Sequence, residues 1–298
     1  MKDKIISYTR FEKVLNEKLF ENGYGTLISK IVKSPERYIG LFRPTKPQTK
    51  LIQNITQSHE IRFGNALEAL FEEYFRVLGF DILDKVIKDN NGEIYNIDQL
   101  LMKGKYIYLI EQKIRDDHDS TKKRGQFKNF EDKYCIVNKI YKKNKKIIIP
   151  IMWFIDCSFD KNKCYFSQEM KKMAKEYGCN VYLFYGEQLF NETIGDIQFS
   201  RDMWSEIISY LKRWKEKLPD IPEINFDNEA QKAFEEIKSI KTSDLRSLFD
   251  NEEIIKQIFP IIFPQKIVLE KLRFYFLSKN EQIYKTLSEK ITRAMQIY

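Results

Sequence analysis

The sequence predicts an α/β fold: a mixed central β-sheet flanked by helices, followed by a helical C-terminal lobe. Three observations predict it. Short runs rich in β-branched and aromatic residues, among them YIYLIEQK (106–113), KIIIPIMWFID (146–156) and NVYLFYG (180–186), alternate with helical patterns, and that alternation builds a sheet covered by helices. The run YIYLI is apolar without interruption, as a strand buried on both faces must be. Beyond KLPDIPEI (217–224), whose two prolines mark a linker or abrupt turn, the chain reads as helical to Tyr298 and is rich in Phe, Ile and Lys.

Each element follows from local chemistry. Residues 8–32 carry a helical period, and SPERYIGLFRPTKPQTK (34–50), with three prolines among scattered Arg and Lys, reads as a basic loop or arm. From Ser58 the apolar residues Ala66, Leu67, Leu70, Phe71, Tyr74, Phe75 and Leu78 recur at helical spacing, and Gly79 stops the run. Strands are expected at DILDKVI (81–87), YNIDQLLM (95–102) and YIYLIEQK, joined by turns at DNNGE and at Lys103-Gly104-Lys105. A helix follows from Ser120 to Tyr141, with Asp119 or Ser120 as its N-cap, and another lies around SQEMKKMAKEYG (167–178). The expected organisation is an N-terminal helical segment and basic arm over 1–57, a core over 58–216 and the helical lobe over 217–298.

Composition narrows the partners. The 298 residues include 51 Lys and Arg against 43 Asp and Glu, leaving +8, and basic runs such as TKKRGQFK (121–128) and YKKNKK (141–146) favour a polyanion, nucleic acid first. Four cysteines, Cys135, Cys157, Cys164 and Cys179, form no CxxC pair and have no zinc spacing with the two histidines, so reduced thiols and no structural metal are expected. The longest apolar run, IIIPIMWFI (147–155), is far too short to span a bilayer, and the N-terminus lacks an apolar signal core. A soluble, cytoplasmic protein without a membrane partner is expected.

The chemistry concentrates at one hairpin. A two-residue turn at Gly104-Lys105, with glycine at the position that type II′ geometry requires, sets Asp98 opposite Glu111 with Cβ atoms ~5 Å apart. Lys113 shares that face because strand side chains alternate. Like charges in this register repel unless a cation lies between them or one carboxyl keeps its proton, so removing Glu111 is expected to relieve repulsion in the metal-free chain. Two carboxylates and an ammonium at a strand end describe a Mg²⁺-type site for phosphodiester hydrolysis, in which the lysine serves the attacking water.

Asp98, twelve intervening residues and then Glu111-Gln112-Lys113 resembles the PD-(D/E)xK nuclease signature, with Ile97 standing where many members have proline. In FGNALE, Glu68 looks like the helix glutamate that joins the metal site in many of these enzymes; Glu72, one turn on, is the competing candidate. The longer string EQKIRDDHDSTKKRGQ, with VYLFYGEQLF (181–190), resembles type II restriction endonucleases over roughly Ser58 to Phe190. The resemblance implies that Asp98, Glu111, Glu68 and the Gln112 main-chain carbonyl hold Mg²⁺, with Mn²⁺ able to substitute and Ca²⁺ binding but poorly active. It further implies cleavage of double-stranded DNA at a short specific sequence by a homodimer, within a restriction–modification system whose cognate DNA methyltransferase is a genomic neighbour.

Lys122, Lys123, Arg124, Gln126 and Lys128 follow the hairpin at the place where a scissile strand must be held, Arg and Lys on phosphates and Gln on base edges. Arg43, Lys46 and Lys50 of the basic arm form a second candidate contact. Asp116, Asp117 and Asp119 read as turn and cap formers, His118 as a hydrogen-bonded structural residue, and His59 as too isolated for a histidine–metal site. The competing functions are a repair or recombination nuclease of the same superfamily and a non-catalytic DNA-binding module.

Overall fold

The computed structural model describes residues 4–117, 119–142 and 145–298. In chain order the elements are α1 (Tyr8–Leu19), α2 (Gly23–Lys33), α3 (Glu36–Ile39), α4 (Pro47–Val77), β1 (Asp81–Ile82), β2 (Val86–Lys88), β3 (Ile94–Asn96), β4 (Gln99–Lys103), β5 (Tyr106–Lys113), α5 (Ser120–Lys142), β6 (Ile147–Phe154), α6 (Lys163–Tyr177), β7 (Tyr182–Tyr185), α7 (Gln188–Asn191), β8 (Thr193–Ile194), β9 (Ile197–Gln198) and α8 (Arg201–Lys215). A 3₁₀ turn at Phe226–Glu229 then leads into α9 (Ala230–Lys238), α10 (Thr242–Asp250), α11 (Glu252–Gln257), α12 (Phe259–Ile262), α13 (Ile267–Leu277) and α14 (Gln282–Ile297).

The fold class is the expected one. Five strands form the central sheet in the order β1-β4-β5-β6-β7, antiparallel from β1 to β5 and parallel from β5 to β7. Strands β5 and β6 are buried almost throughout, as central strands with both faces covered must be. On one face, Ile107, Leu109, Met152 and Phe154 pack against Phe127, Phe130, Tyr134 and Val137 of α5 and Phe166 and Met170 of α6. On the other, Trp153 meets Phe71 of α4 edge to face, and Tyr108 meets Phe199 in the same way.

Several boundaries differ from the sequence reading. The 8–32 helix is two helices, because Asn22 takes a left-handed conformation, φ 47°, ahead of Gly23. Helix α4 begins at Pro47, not Ser58, since the missing proline N–H costs nothing in a first turn; Lys50 is therefore helical, and α3 further shortens the loop. At the other end Gly79 adopts φ 79° and the Phe80 N–H donates to the Phe75 carbonyl at 3.0 Å, closing the helix as expected. The strands read at 81–87 and 95–102 each break in two. Leu83 N–H donates to the Leu100 carbonyl and Ile97 N–H to the Lys85 carbonyl, so the chain changes partner between Ile97 and Gln99. Strands β2 and β3 form a separate ribbon.

The chain divides into two compact units, one of residues 1–18 with 63–217 and one of residues 19–62 with 218–298. This division is discontinuous, unlike the three consecutive segments expected. The second unit owes its existence to an all-helical core in which Leu27, Ile28 and Ile31 of α2 pack with Leu245, Ile258, Leu269 and Ile291. Among the described residues no helix is long and apolar enough to cross a membrane, and all four cysteines are free thiols.

Candidate active site

The site forms where β4 peels away from β5. The hairpin has the expected register, from Lys103 opposite Tyr106 to Gln99 opposite Ile110, and Gly104 supplies φ 60° while Lys105 is not among the positive-φ residues, the II′ pattern. One residue short of Asp98 the ladder stops. The edge of β5 at Gln112 is thus left without a strand partner, and the Asp98 carboxylate takes it: Oδ2 accepts the Gln112 N–H at 2.8 Å. The N–H and C=O of a strand residue lie along the same edge, so the Gln112 carbonyl faces the Asp98 side.

Three charged groups converge there. Lys113 Nζ lies 2.8 Å from Asp98 Oδ2 and 2.9 Å from Glu111 Oε1, bridging the two carboxylates. A fourth group, not anticipated from the sequence, completes the set: Lys133 of α5 places Nζ 2.7 Å from Glu111 Oε2, with the two side chains only 5% and 4% exposed. The repulsion expected between Asp98 and Glu111 is therefore answered by ammonium groups. Removing Glu111 would strand Lys133 in the core, and the expected relief on its removal is corrected accordingly.

Lys133 was legible in principle. Phe127, Phe130, Tyr134 and Val137 mark the buried stripe of α5, and Lys133 falls on that stripe, where a lysine is tolerated only if paired. It faces Glu111 because odd-numbered β5 residues point to the α5 side.

The electrostatics follow from this packing. Burial pushes the Glu111 carboxyl up, but Lys113 and Lys133 outweigh it and hold it below its usual range. Burial and then the Glu111 charge push Asp98 up against the pull of Lys113. Burial disfavours the Lys113 ammonium, yet Glu111 and Asp98 raise it above the ordinary lysine range. Glu68, on α4, is pushed up to about 7 by burial first and then by Asp98, with Glu111 adding to the rise, which places it in the field of the same cluster. The α4 backbone is tied there by Gln99 Nε2, which donates to the Glu68 carbonyl at 2.7 Å. Glu72 instead pairs with Arg76 and Lys85, each at 3.0 Å.

The neighbouring residues divide by role. Asp116 is a buried clamp and not a turn former: it accepts from Asn162 N, Asn162 Nδ2 and the Tyr185 hydroxyl at 2.8–2.9 Å, fixing the chain just beyond β5. Asp119 caps α5, accepting from Lys122 N at 2.8 Å. His118 lies outside the described residues, as do positions 143 and 144 of the second basic run. Lys122 and Arg124 are exposed on the first turns of α5, and Lys123 sits 4.8 Å from the centre of the Tyr165 ring. Lys128 is engaged with Glu131 and Asp132 at 2.9 and 3.0 Å, whereas the Gln126 amide is buried with neither atom partnered. Arg43 and Lys46 belong to the other unit, and His59 meets Phe20 edge to face there.

Among the described residues no three His, Cys, Asp or Glu side chains converge into one metal cage. The donor chemistry nevertheless fits a hard divalent ion, because Mg²⁺ keeps several waters and needs only one or two carboxylates; Asp98, Glu111 and the Gln112 carbonyl meet that requirement, with Glu68 in reserve.

No curated protein and no solved structure matches the chain. Residues 77–215, which contain β1 to β9 and this whole cluster except Glu68, match the family model described as type II restriction endonuclease, HinfI. Type II restriction endonucleases act on DNA and generally depend on divalent metal. Over residues 77–215 the chain is accordingly similar to the HinfI type II restriction endonucleases, and that segment holds the Asp98, Glu111 and Lys113 cluster.

Proposed function

We propose that the protein is a Mg²⁺-dependent endonuclease that cuts double-stranded DNA at a short specific sequence, with Asp98, Glu111 and Lys113 as its catalytic group. The observation that carries this reading is the Lys113 ammonium spanning both carboxylates at 2.8 and 2.9 Å on an open strand edge. Asp98, Glu111 and the Gln112 carbonyl would hold the ion, and Glu68 would join them once it gives up its proton. When bound, the ion supplies positive charge for the developing phosphorane and lowers the pKa of its water. Lys133 engages Oε2 of Glu111, so the Glu111 carboxylate would offer the ion its other oxygen, and Lys113 would serve the attacking water. Lys122, Lys123 and Arg124 stand on the first turns of α5, where phosphates are favoured by side-chain charge and by the helix N-terminus. Mn²⁺ would substitute for Mg²⁺, whereas Ca²⁺, with its looser geometry, would support binding with poor turnover. A homodimer matches a near-symmetric site, and a cognate methyltransferase encoded nearby would protect the host.

Plasmid cleavage with and without Mg²⁺, beside calorimetric metal titration, tests this. The wild-type protein should give discrete bands; a smear would favour a repair or recombination nuclease, and intact plasmid a non-catalytic binder. Glu111→Gln should lose both metal affinity and cleavage, and Lys113→Met should keep metal affinity while losing cleavage. Full activity in either variant removes this cluster as the active site.

A further inference from the structure

The two most exposed large apolar residues among those described are neighbours, Leu41 at 89% and Phe42 at 99%. They occupy the corner of a β-turn closed by the Arg43 N–H donating to the Gly40 carbonyl at 3.2 Å. The turn is built. The Gly40 N–H donates to the Glu36 carbonyl, and a Cβ at Gly40 would lie 2.4 Å from that same oxygen, so only glycine permits the close approach. Tyr38, 2% exposed, and Leu51, fully buried, anchor the two ends in the core of the helical unit, and Pro44 and Pro47 restrict the path between.

The charge around this tip has one sign. From Arg37 to His59 there is no Asp or Glu, while Arg37, Arg43, Lys46 and Lys50 are all present. None of these four forms an ion pair with a described residue; Lys50 Nζ donates to Gln53 Oε1. Two apolar side chains exposed on a stretch whose charged residues are all cationic suit a polyanion that offers an apolar interior. Duplex DNA does so between its stacked base pairs, where proteins insert Phe or Leu and kink the helix.

We propose that the Gly40–Arg43 turn is a wedge that inserts Phe42, supported by Leu41, between base pairs of the bound duplex, with Arg43 and Lys46 on the flanking phosphates. This rests on DNA being the substrate and adds a second element of recognition, which reads how easily a base step unstacks and not the edges of its bases.

The test needs no knowledge of the recognition sequence. The full-length protein, in Ca²⁺ to hold cleavage down, is bound to closed circular plasmid, topoisomerase I relaxes the complex, and the linking number is read after the protein is removed. Wild type should leave a reduced linking number and Phe42→Ala should not. Phe42→Ala should also bind duplex ~10-fold more weakly, the order expected for loss of one stacked aromatic ring, with the slope of log affinity against log salt unchanged because no charge was lost. Arg43→Ala with Lys46→Ala should flatten that slope. Equal affinity and equal unwinding for wild type and Phe42→Ala overturn the wedge while leaving the nuclease reading intact, and so does a wild-type protein that cuts plasmid without unwinding it. A wild-type protein that neither binds nor cuts plasmid overturns both. If Phe42→Ala instead abolishes binding to phosphatidylserine vesicles, or self-association in sedimentation, with DNA binding untouched, the tip serves a membrane or a second copy and the proposal fails.

Discussion

Replacing Lys133 with Met examines the feature that the tertiary structure added to the site. Lys133 and Glu111 are 5% and 4% exposed at 2.7 Å, and breaking a buried ion pair by removing one partner costs about 3–5 kcal/mol. Lys113 still holds Glu111 Oε1 at 2.9 Å, so the lower end, about 3 kcal/mol, is expected. The readout is selective, because all three tryptophans, Trp153, Trp204 and Trp214, lie in the unit that contains the cluster. With a urea m-value of ~2 kcal/mol/M, the tryptophan fluorescence midpoint should fall by roughly 1.5 M. The double variant Lys133→Met with Glu111→Leu removes both charges and should recover most of that loss, since apolar replacement of a buried pair is often close to neutral. A shift below ~0.3 M in the single variant, by the same m-value, or a double variant no more stable than the single, would refute the buried pair as a structural support of the site.

Two further predictions concern pH and salt. Glu68 is held protonated up to about 7, well above an unfolded glutamate, so between pH ~4.5 and ~7 the folded protein binds the extra proton and metal-free stability falls as pH rises. The loss reaches roughly 3 kcal/mol above pH ~7. Glu68→Gln should lack it, and urea midpoints from pH 5 to 8 that run parallel in the two proteins would contradict the assignment. Lys122→Ala and Arg124→Ala should each weaken DNA binding and reduce its salt slope by ~0.9, while Lys128→Ala, already paired with Glu131 and Asp132, should change little. Identical slopes in the first two variants place the phosphate contacts elsewhere.

The sequence by itself determined whatever depends on neighbours along the chain. The alternation of apolar runs, Gly79 ending α4 and the Gly104 turn were sufficient for the fold class and for the hairpin register, because in a two-residue hairpin the turn geometry alone sets which residues face each other. Asp98, Glu111 and Lys113 therefore came together on paper as they do in space, Lys113 touching both carboxylates. Local pattern could not say where a strand changes partner. The break at Ile97–Asp98, which frees the β5 edge, comes where the Ile97 N–H donates to the Lys85 carbonyl and not to β5, and an apolar pattern does not say which of two flanking segments takes a backbone group. The same limit hid Lys133, since its burial is visible on the stripe of α5 but its partner lies 22 residues away on a different element. It also hid the second unit, in which α2 joins the C-terminal helices across about two hundred residues of sequence, because apolar faces carry no label for the partner that will cover them.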